Sequence, residues 1–290
     1  MSFNGFDLAM VDVGDVCLRV RSGGSGPPLL LLHGAPQTHM MWAGIADRLA
    51  RDFTVIAPDL RGYGRSDKPA PGPDQQAYSK RTMARDAIAL MAHFGFDRFA
   101  VAGHDRGGRV GYRLALDHPQ AVTRLSILDI VPTADVWLLA DDRFALGYWH
   151  WGFLAQPAPF PERAIQAVGG APFFLRDVDR AAKMFGAEAA RDYQECLDDP
   201  ETVRGICEDY RAGAGIDRAI DMADRGSRKI GCPVQILWGA KSSVGAWYDV
   251  PSVWAQWADD LRFQAIDGGH FIVDDQPDAV LAAFQSFFGK

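Results

Sequence analysis

One stretch constrains the fold more than any other: Phe99-Ala100-Val101-Ala102 runs into Gly103-His104-Asp105-Arg106-Gly107-Gly108-Arg109 and then Val110-Gly111-Tyr112-Arg113-Leu114-Ala115-Leu116. A short apolar run followed by glycines and then a helical pattern reads as strand, sharp turn, helix. Passing straight from strand to helix forces the central residue into strained backbone geometry. Flanking residues without Cβ let the two elements pack closely. The stretch is a G-x-D-x-G elbow, with aspartate where the G-x-S-x-G form carries serine. Asp105 is thereby expected at the carboxyl edge of a sheet, beside the unpaired N–H groups and positive dipole end of the following helix. The plain alternative is a tight turn with an N-cap aspartate.

At 290 residues the chain suits one large α/β domain or a core with an insertion. Lys and Arg total 30 against 37 Asp and Glu, and no basic run stands out, which argues against nucleic acid as a partner. Cys17, Cys196, Cys207 and Cys232 are scattered without C-x-x-C spacing, so neither a metal site nor a disulfide framework is expected, and reduced thiols suit a cytoplasmic location. The N-terminus lacks a basic region followed by an apolar one, and no apolar run reaches the roughly 18 residues of a membrane span.

Taken in order, loosely alternating residues 6–21 suggest an opening hairpin, and Leu29-Leu30-Leu31-Leu32 reads as a strand buried on both faces of a parallel sheet. A helix is expected from about His39 to Ala50, then the strand Phe53 to Ala57 and the turn Pro58 to Ser66, in which Asp59, Arg61, Gly62 and Gly64 serve as scaffold. After the strand Leu125-Ser126-Ile127-Leu128, the alternation of strand and helix stops from about Thr133 to Arg228. Short, aromatic-rich helical patterns broken by Pro and Gly replace it. The sheet resumes at Pro233 to Gly239 and Leu261 to Ile266, and a last helix starts near Gln276-Pro277. The expected organisation is a core in two parts, 1–132 and 229–290, with a helical cap over 133–228.

A nucleophile after one strand, an acid after a later one and a histidine near the end is the order of the α/β-hydrolase fold, a mostly parallel sheet flanked by helices. Of the histidines near expected strand ends (His33, His39, His104 and His270), His270 alone lies in the last such loop. The loop after Trp238-Gly239 has no carboxylate before Asp249, which leaves Asp129 as the strand-end acid, while Asp274 and Asp275 are assigned to the start of the last helix. The loop His33-Gly34-Ala35-Pro36 is positioned to give one oxyanion-hole amide, that of Ala35. A carboxylate nucleophile needs no general base. Attack on saturated carbon gives an alkyl ester that water, activated by His270 and Asp129, then hydrolyses, with the amides of Ala35 and Arg106 as oxyanion donors.

Leu32-His33-Gly34-Ala35-Pro36-Gln37-Thr38-His39, Asp59 to Ser66, Gly103 to Arg109, Trp149-His150-Trp151 and Gly269-His270-Phe271 together resemble the haloacetate (fluoroacetate) dehalogenases, over essentially the whole chain. The most specific piece is Asp105-Arg106-Gly107-Gly108-Arg109, since haloalkane dehalogenases and epoxide hydrolases of this fold generally have tryptophan directly after the nucleophile. The resemblance implies that Arg106 and Arg109 bind a substrate carboxylate, that His150, Trp151 and Tyr210 bind the departing halide, that no metal or organic cofactor takes part, and that the protein is a homodimer. Its partners would be a small haloacid and water. Two guanidiniums within one turn of the nucleophile suit a small anion. Ala35 departs from the aromatic residue of that loop in the family, which implies a roomier pocket. Two other readings remain open: an epoxide hydrolase of the same fold, which needs cap tyrosines and has no use for Arg106 and Arg109, and a non-catalytic receptor for a small acid.

Overall fold

The computed structural model describes residues 3–289. Strands β1 (Asp7–Asp12) and β2 (Cys17–Gly23) form the opening antiparallel hairpin, and β2 also pairs antiparallel with β4 (Thr54–Pro58). The strands β3 (Pro28–Leu32), β4, β5 (Phe99–His104), β6 (Val122–Leu128), β7 (Val234–Gly239) and β8 (Leu261–Ile266) run parallel. The order across the eight-stranded sheet is β1-β2-β4-β3-β5-β6-β7-β8. Leu29 to Leu32 of β3 are buried, as a continuous apolar run in a central strand requires.

Register decides which loops meet. Leu32 lies opposite Gly103, so the loop that begins at His33 leaves the sheet beside the elbow. His104 lies opposite Leu128 and Leu128 opposite Leu237, so Asp105, Asp129 and the residues after Trp238 emerge at one edge.

Between β6 and β7, where the strand-helix alternation of the sequence stops, the described residues hold nine helices, from Thr133–Leu138 to Ile216–Asp224. The start of this segment is pinned to the core: Trp254 Nε1 donates to the Ile130 carbonyl at 3.1 Å, and Trp257 Nε1 donates to Asp135 at 2.7 Å. The helix expected from His39 to Ala50 is divided into a 3₁₀ turn at His39–Trp42 and an α-helix at Ala43–Leu49. Asp59 accepts from both the amide and the ring of His39, while the Thr38 hydroxyl accepts from Met40 N, so side chains satisfy the first donors and the entry turn is tight. No helix among the described residues is long and apolar enough to cross a membrane.

Candidate active site

The elbow forms as its glycines require. Asp105 has φ +45°, a sparsely populated conformation for a residue with a side chain, and it opens the helix Asp105–Asp117. A Cβ on Gly107 would meet the Leu32 and His33 carbonyl oxygens at 2.4 and 2.5 Å, and one on Gly34 would meet the Asp105 Cβ at 2.7 Å. That closeness lets Ala35 N donate to Asp105 Oδ2 at 3.0 Å. Asp105 is buried, which by itself disfavours its charge. Its neighbours His270, Arg106 and Arg109 outweigh that penalty and hold the carboxyl below its ordinary range. Asp105 is thus favoured as the carboxylate, with Oδ2 restrained by the Ala35 amide.

On the neighbouring strand, Asp129 also takes a positive φ, +52°. Its Oδ2 lies 2.6 Å from His270 Nδ1, while Oδ1 accepts from Gly239 N at 2.8 Å and Ser242 Oγ at 2.6 Å. The last residue of β7 and the loop after it, which has no acid of its own, therefore contribute two donors that orient Asp129 at the end of β6. Burial opposes a charge on His270, but the hydrogen bond to Asp129 and the charges of Asp129 and Asp105 raise its pKa above the usual imidazole value. His104 Nε2 meets the His270 carbonyl at 2.8 Å, and its ring centroid lies 4.7 Å from that of His270. Burial, with the His270 charge second, pushes His104 down to about 4, so this ring stays neutral and serves as a backbone clamp. Asp275 closes the same loop by accepting from Gly269 N at 2.8 Å. Asp274 and Asp275 belong to a separate short helix, Ile272–Asp275, rather than to the last helix, Pro277–Phe288, which corrects their assignment from sequence.

Above these residues lies a cavity of about 390 Å³ whose walls include Asp105, Arg109, Asp129, His150, Trp151, Tyr210 and His270. His150 and Trp151 come from the helix Trp149–Leu154 and Tyr210 from the helix Pro200–Ala214. The Tyr210 ring lies 5.9 Å from each of the other two. None of the hydrogen bonds among the described residues occupies the Trp151 indole, the His150 ring nitrogens or the Tyr210 hydroxyl. Burial lowers His150 to about 4, so at neutral pH it offers one N–H and no charge. Burial likewise raises Tyr210, which keeps its proton. Three uncharged donors on one wall can replace the hydration of a leaving anion.

The two arginines are placed differently. Arg109 lines the cavity, its Nη1 donating to the Val131 carbonyl at 3.0 Å and to Thr133 Oγ1 at 3.1 Å, and its guanidinium lies 4.6 Å from the Trp151 ring centroid. Arg106 is fully buried behind Tyr210, 4.3 Å from that ring, and is already paired. Its Nε donates to Asp209 Oδ2 at 2.7 Å and its Nη2 to the Asp209 carbonyl at 2.8 Å. Of the Arg106 guanidinium nitrogens, Nη1 has no hydrogen-bond partner among the described residues. Asp209 in turn accepts from Tyr63 Oη at 2.5 Å and pairs with Lys80, which also reaches Asp217 at 3.4 Å.

Sequence reasoning assigned no role to Asp209, Tyr63, Lys80 or His104. The position of Asp209 directly before Tyr210 was visible, but its partners lie more than a hundred residues away. Among the described residues, no group of three or more His, Cys, Asp or Glu side chains is arranged to hold a metal ion.

Comparison with known proteins agrees with this architecture. Residues 27–277 match the model of the alpha/beta hydrolase fold family. The chain is 44% identical over 290 residues to a fluoroacetate dehalogenase of Burkholderia sp, covering 98% of this chain and 94% of that protein. It is 32% identical over 276 residues to a soluble epoxide hydrolase of Corynebacterium sp. (strain C12), covering 92% of each. A crystal structure from Nostoc sp PCC 7120, provisionally described as an alpha/beta hydrolase, superposes with a TM-score of 0.95 at 42% identity and 99% coverage of both chains. With an elbow after β5, an acid after β6, a histidine after β8 and a family match spanning most of its length, the chain belongs to the α/β-hydrolase family.

Proposed function

We propose that the protein hydrolyses the carbon–halogen bond of small 2-haloacids, haloacetates such as fluoroacetate among them, to the hydroxyacid and halide. The observation that carries this reading is the buried Asp105 carboxylate, held by the Ala35 amide in a cavity that also holds the Arg109 guanidinium. A carboxylate held by one amide and faced by a buried cation suits displacement on an anionic substrate and has no part in acyl transfer by serine.

In this mechanism Arg109 binds the substrate carboxylate from the cavity wall, Arg106 adds its charge from behind Tyr210, and the α-carbon is set against Asp105. Asp105 forms the new C–O bond as the carbon–halogen bond breaks, and the electron pair leaves with the halide, received by His150, Trp151 and Tyr210. Neutral His270, oriented by Asp129, then takes a proton from water, which adds to the ester carbonyl of Asp105. The amides of Ala35 and Arg106 stabilise the oxyanion until the C–O bond to the hydroxyacid breaks, its oxygen taking the proton back from His270. Residues 133–228 act in this scheme as a cap that supplies the halide donors, over a core made of 1–132 and 229–290. The resemblance to the fluoroacetate dehalogenase supports the reaction class.

A second reading, epoxide hydrolysis, draws on Tyr148, Tyr210 and Tyr248, which all line the cavity, and on the similarity to a soluble epoxide hydrolase. Such a reaction needs the tyrosines as acids toward a neutral substrate and leaves Arg109 without work. The test measures halide release from chloroacetate and fluoroacetate beside diol formation from a neutral epoxide. A single turnover in ¹⁸O-water should place the label in Asp105. Turnover of the epoxide alone, or label in the first product, would rule the proposal out.

A further inference from the structure

We propose that the preferred substrates carry an unbranched or aromatic apolar substituent on the reacting carbon, housed in a chamber beyond the haloacetate position; this rests on the dehalogenase reading above. Size is the first argument. Haloacetate has five non-hydrogen atoms and, at about 30 Å³ per water-sized unit, needs on the order of 100 Å³. The cavity offers about 390 Å³. Most of its volume is idle with a two-carbon acid.

The lining is the second argument. The groups suited to the reaction, Asp105, Arg109, His150, Trp151, Tyr210 and His270, are joined on the lining by Asp129, Tyr148, Ser243 and Tyr248, but most of the wall is apolar. Phe271, 5.1 Å from the His270 ring, begins a surface that continues through Phe185, 5.0 Å farther, on the helix Val178–Phe185. Met184 of that helix and Phe173 and Phe174 of the helix Gly170–Leu175 complete it. These side chains are only partly buried. Apolar walls around an open volume are what a ligand's apolar portion covers, and they give nothing to a substrate that ends at the α-carbon.

The chamber is also open from the reacting carbon. Ala35, whose amide holds Asp105 Oδ2, also lines the cavity, and its side chain is a single methyl. A substituent on the α-carbon therefore meets no large side chain at that corner. The two other cations on the lining, Arg176 and Arg180, are exposed and sit at the rim, so the chamber itself has no charge to match a second carboxylate.

The test compares bromoacetate, 2-bromopropanoate, 2-bromobutanoate, 2-bromohexanoate and 2-bromo-3-phenylpropanoate. From 2-bromopropanoate upward, KM should fall by about fourfold per methylene, as burial of each CH₂ predicts. Met184→Trp should lower kcat/KM for 2-bromohexanoate at least tenfold more than for bromoacetate. Inhibition of bromoacetate turnover by halogen-free acids gives a readout on the unaltered protein: hexanoate and 3-phenylpropanoate should bind at least tenfold more tightly than acetate. Turnover of bromoacetate, with KM rising along the series and hexanoate binding no better than acetate, would overturn the chamber and leave the dehalogenase reading intact. Absence of halide release from every member, bromoacetate included, would overturn both.

Discussion

Replacing Asp209 with asparagine tests whether a residue that never enters the cavity positions one end of the substrate. The carboxylate is fully buried and holds Arg106 Nε at 2.7 Å, Tyr63 Oη at 2.5 Å and the Lys80 ammonium. In Asp209→Asn, Lys80 keeps Asp217, but Arg106 has no anionic partner in a site closed to water. Removing one member of a buried ion pair costs about 3–5 kcal/mol, and the amide oxygen still accepts one hydrogen bond, which places the expected loss near the lower end, about 3 kcal/mol. For a chain of 290 residues that lowers Tm by about 5 °C. The functional effect is separate. With its guanidinium no longer fixed by Asp209, Arg106 no longer holds its charge behind the Tyr210 ring, and acetate binding should weaken measurably. Thermal melts give the first quantity, and the Ki of acetate against chloroacetate turnover gives the second. A variant that melts within about 2 °C of the parent would refute the energetic argument. An unchanged acetate Ki in a folded variant would show that Asp209 supports the fold alone.

His270→Ala should still release halide once and then stall, and intact-protein mass spectrometry should find a carboxymethyl ester on the Asp105 peptide; unmodified protein beside released halide would remove Asp105 as nucleophile. Because Asp129 raises the His270 pKa and the histidine must be neutral to accept a proton from water, the acid limb of kcat should lie above the ordinary imidazole value, and Asp129→Asn should move it to lower pH while reducing kcat. An acid limb that stays in place would detach Asp129 from His270. Burial raises Asp274 to about 7, so the folded state binds the extra proton and stability contributed by neutral Asp274 is lost between the ordinary carboxylate range and about pH 7. Asp274→Asn should accordingly raise Tm more at pH 8 than at pH 5, and equal shifts at both would contradict the burial argument. A chiral 2-halopropionate should give lactate with net inversion, since only the displacement touches the α-carbon; chiral chromatography showing retention would exclude that step.

Much of the site was legible because its determinants are local. A strand that turns at once into a helix needs Gly103 and Gly107 in sequence around Asp105, and burial on both faces of a sheet needs an unbroken apolar run such as Leu29 to Leu32. The absence of an acid after β7 could likewise be read along the chain, and it pointed to Asp129. What the sequence could not supply depends on register and on contacts between distant segments. That Ser242 and Gly239 orient Asp129 follows from β7 lying beside β6. That Arg106 is half spent on Asp209 while Arg109 faces the cavity follows from how the helix Pro200–Ala214 packs behind the elbow. Two arginines three residues apart look equivalent on a helix. Only the tertiary structure separates them, because a buried guanidinium takes whichever carboxylate the fold brings within reach, and no local pattern encodes that partner.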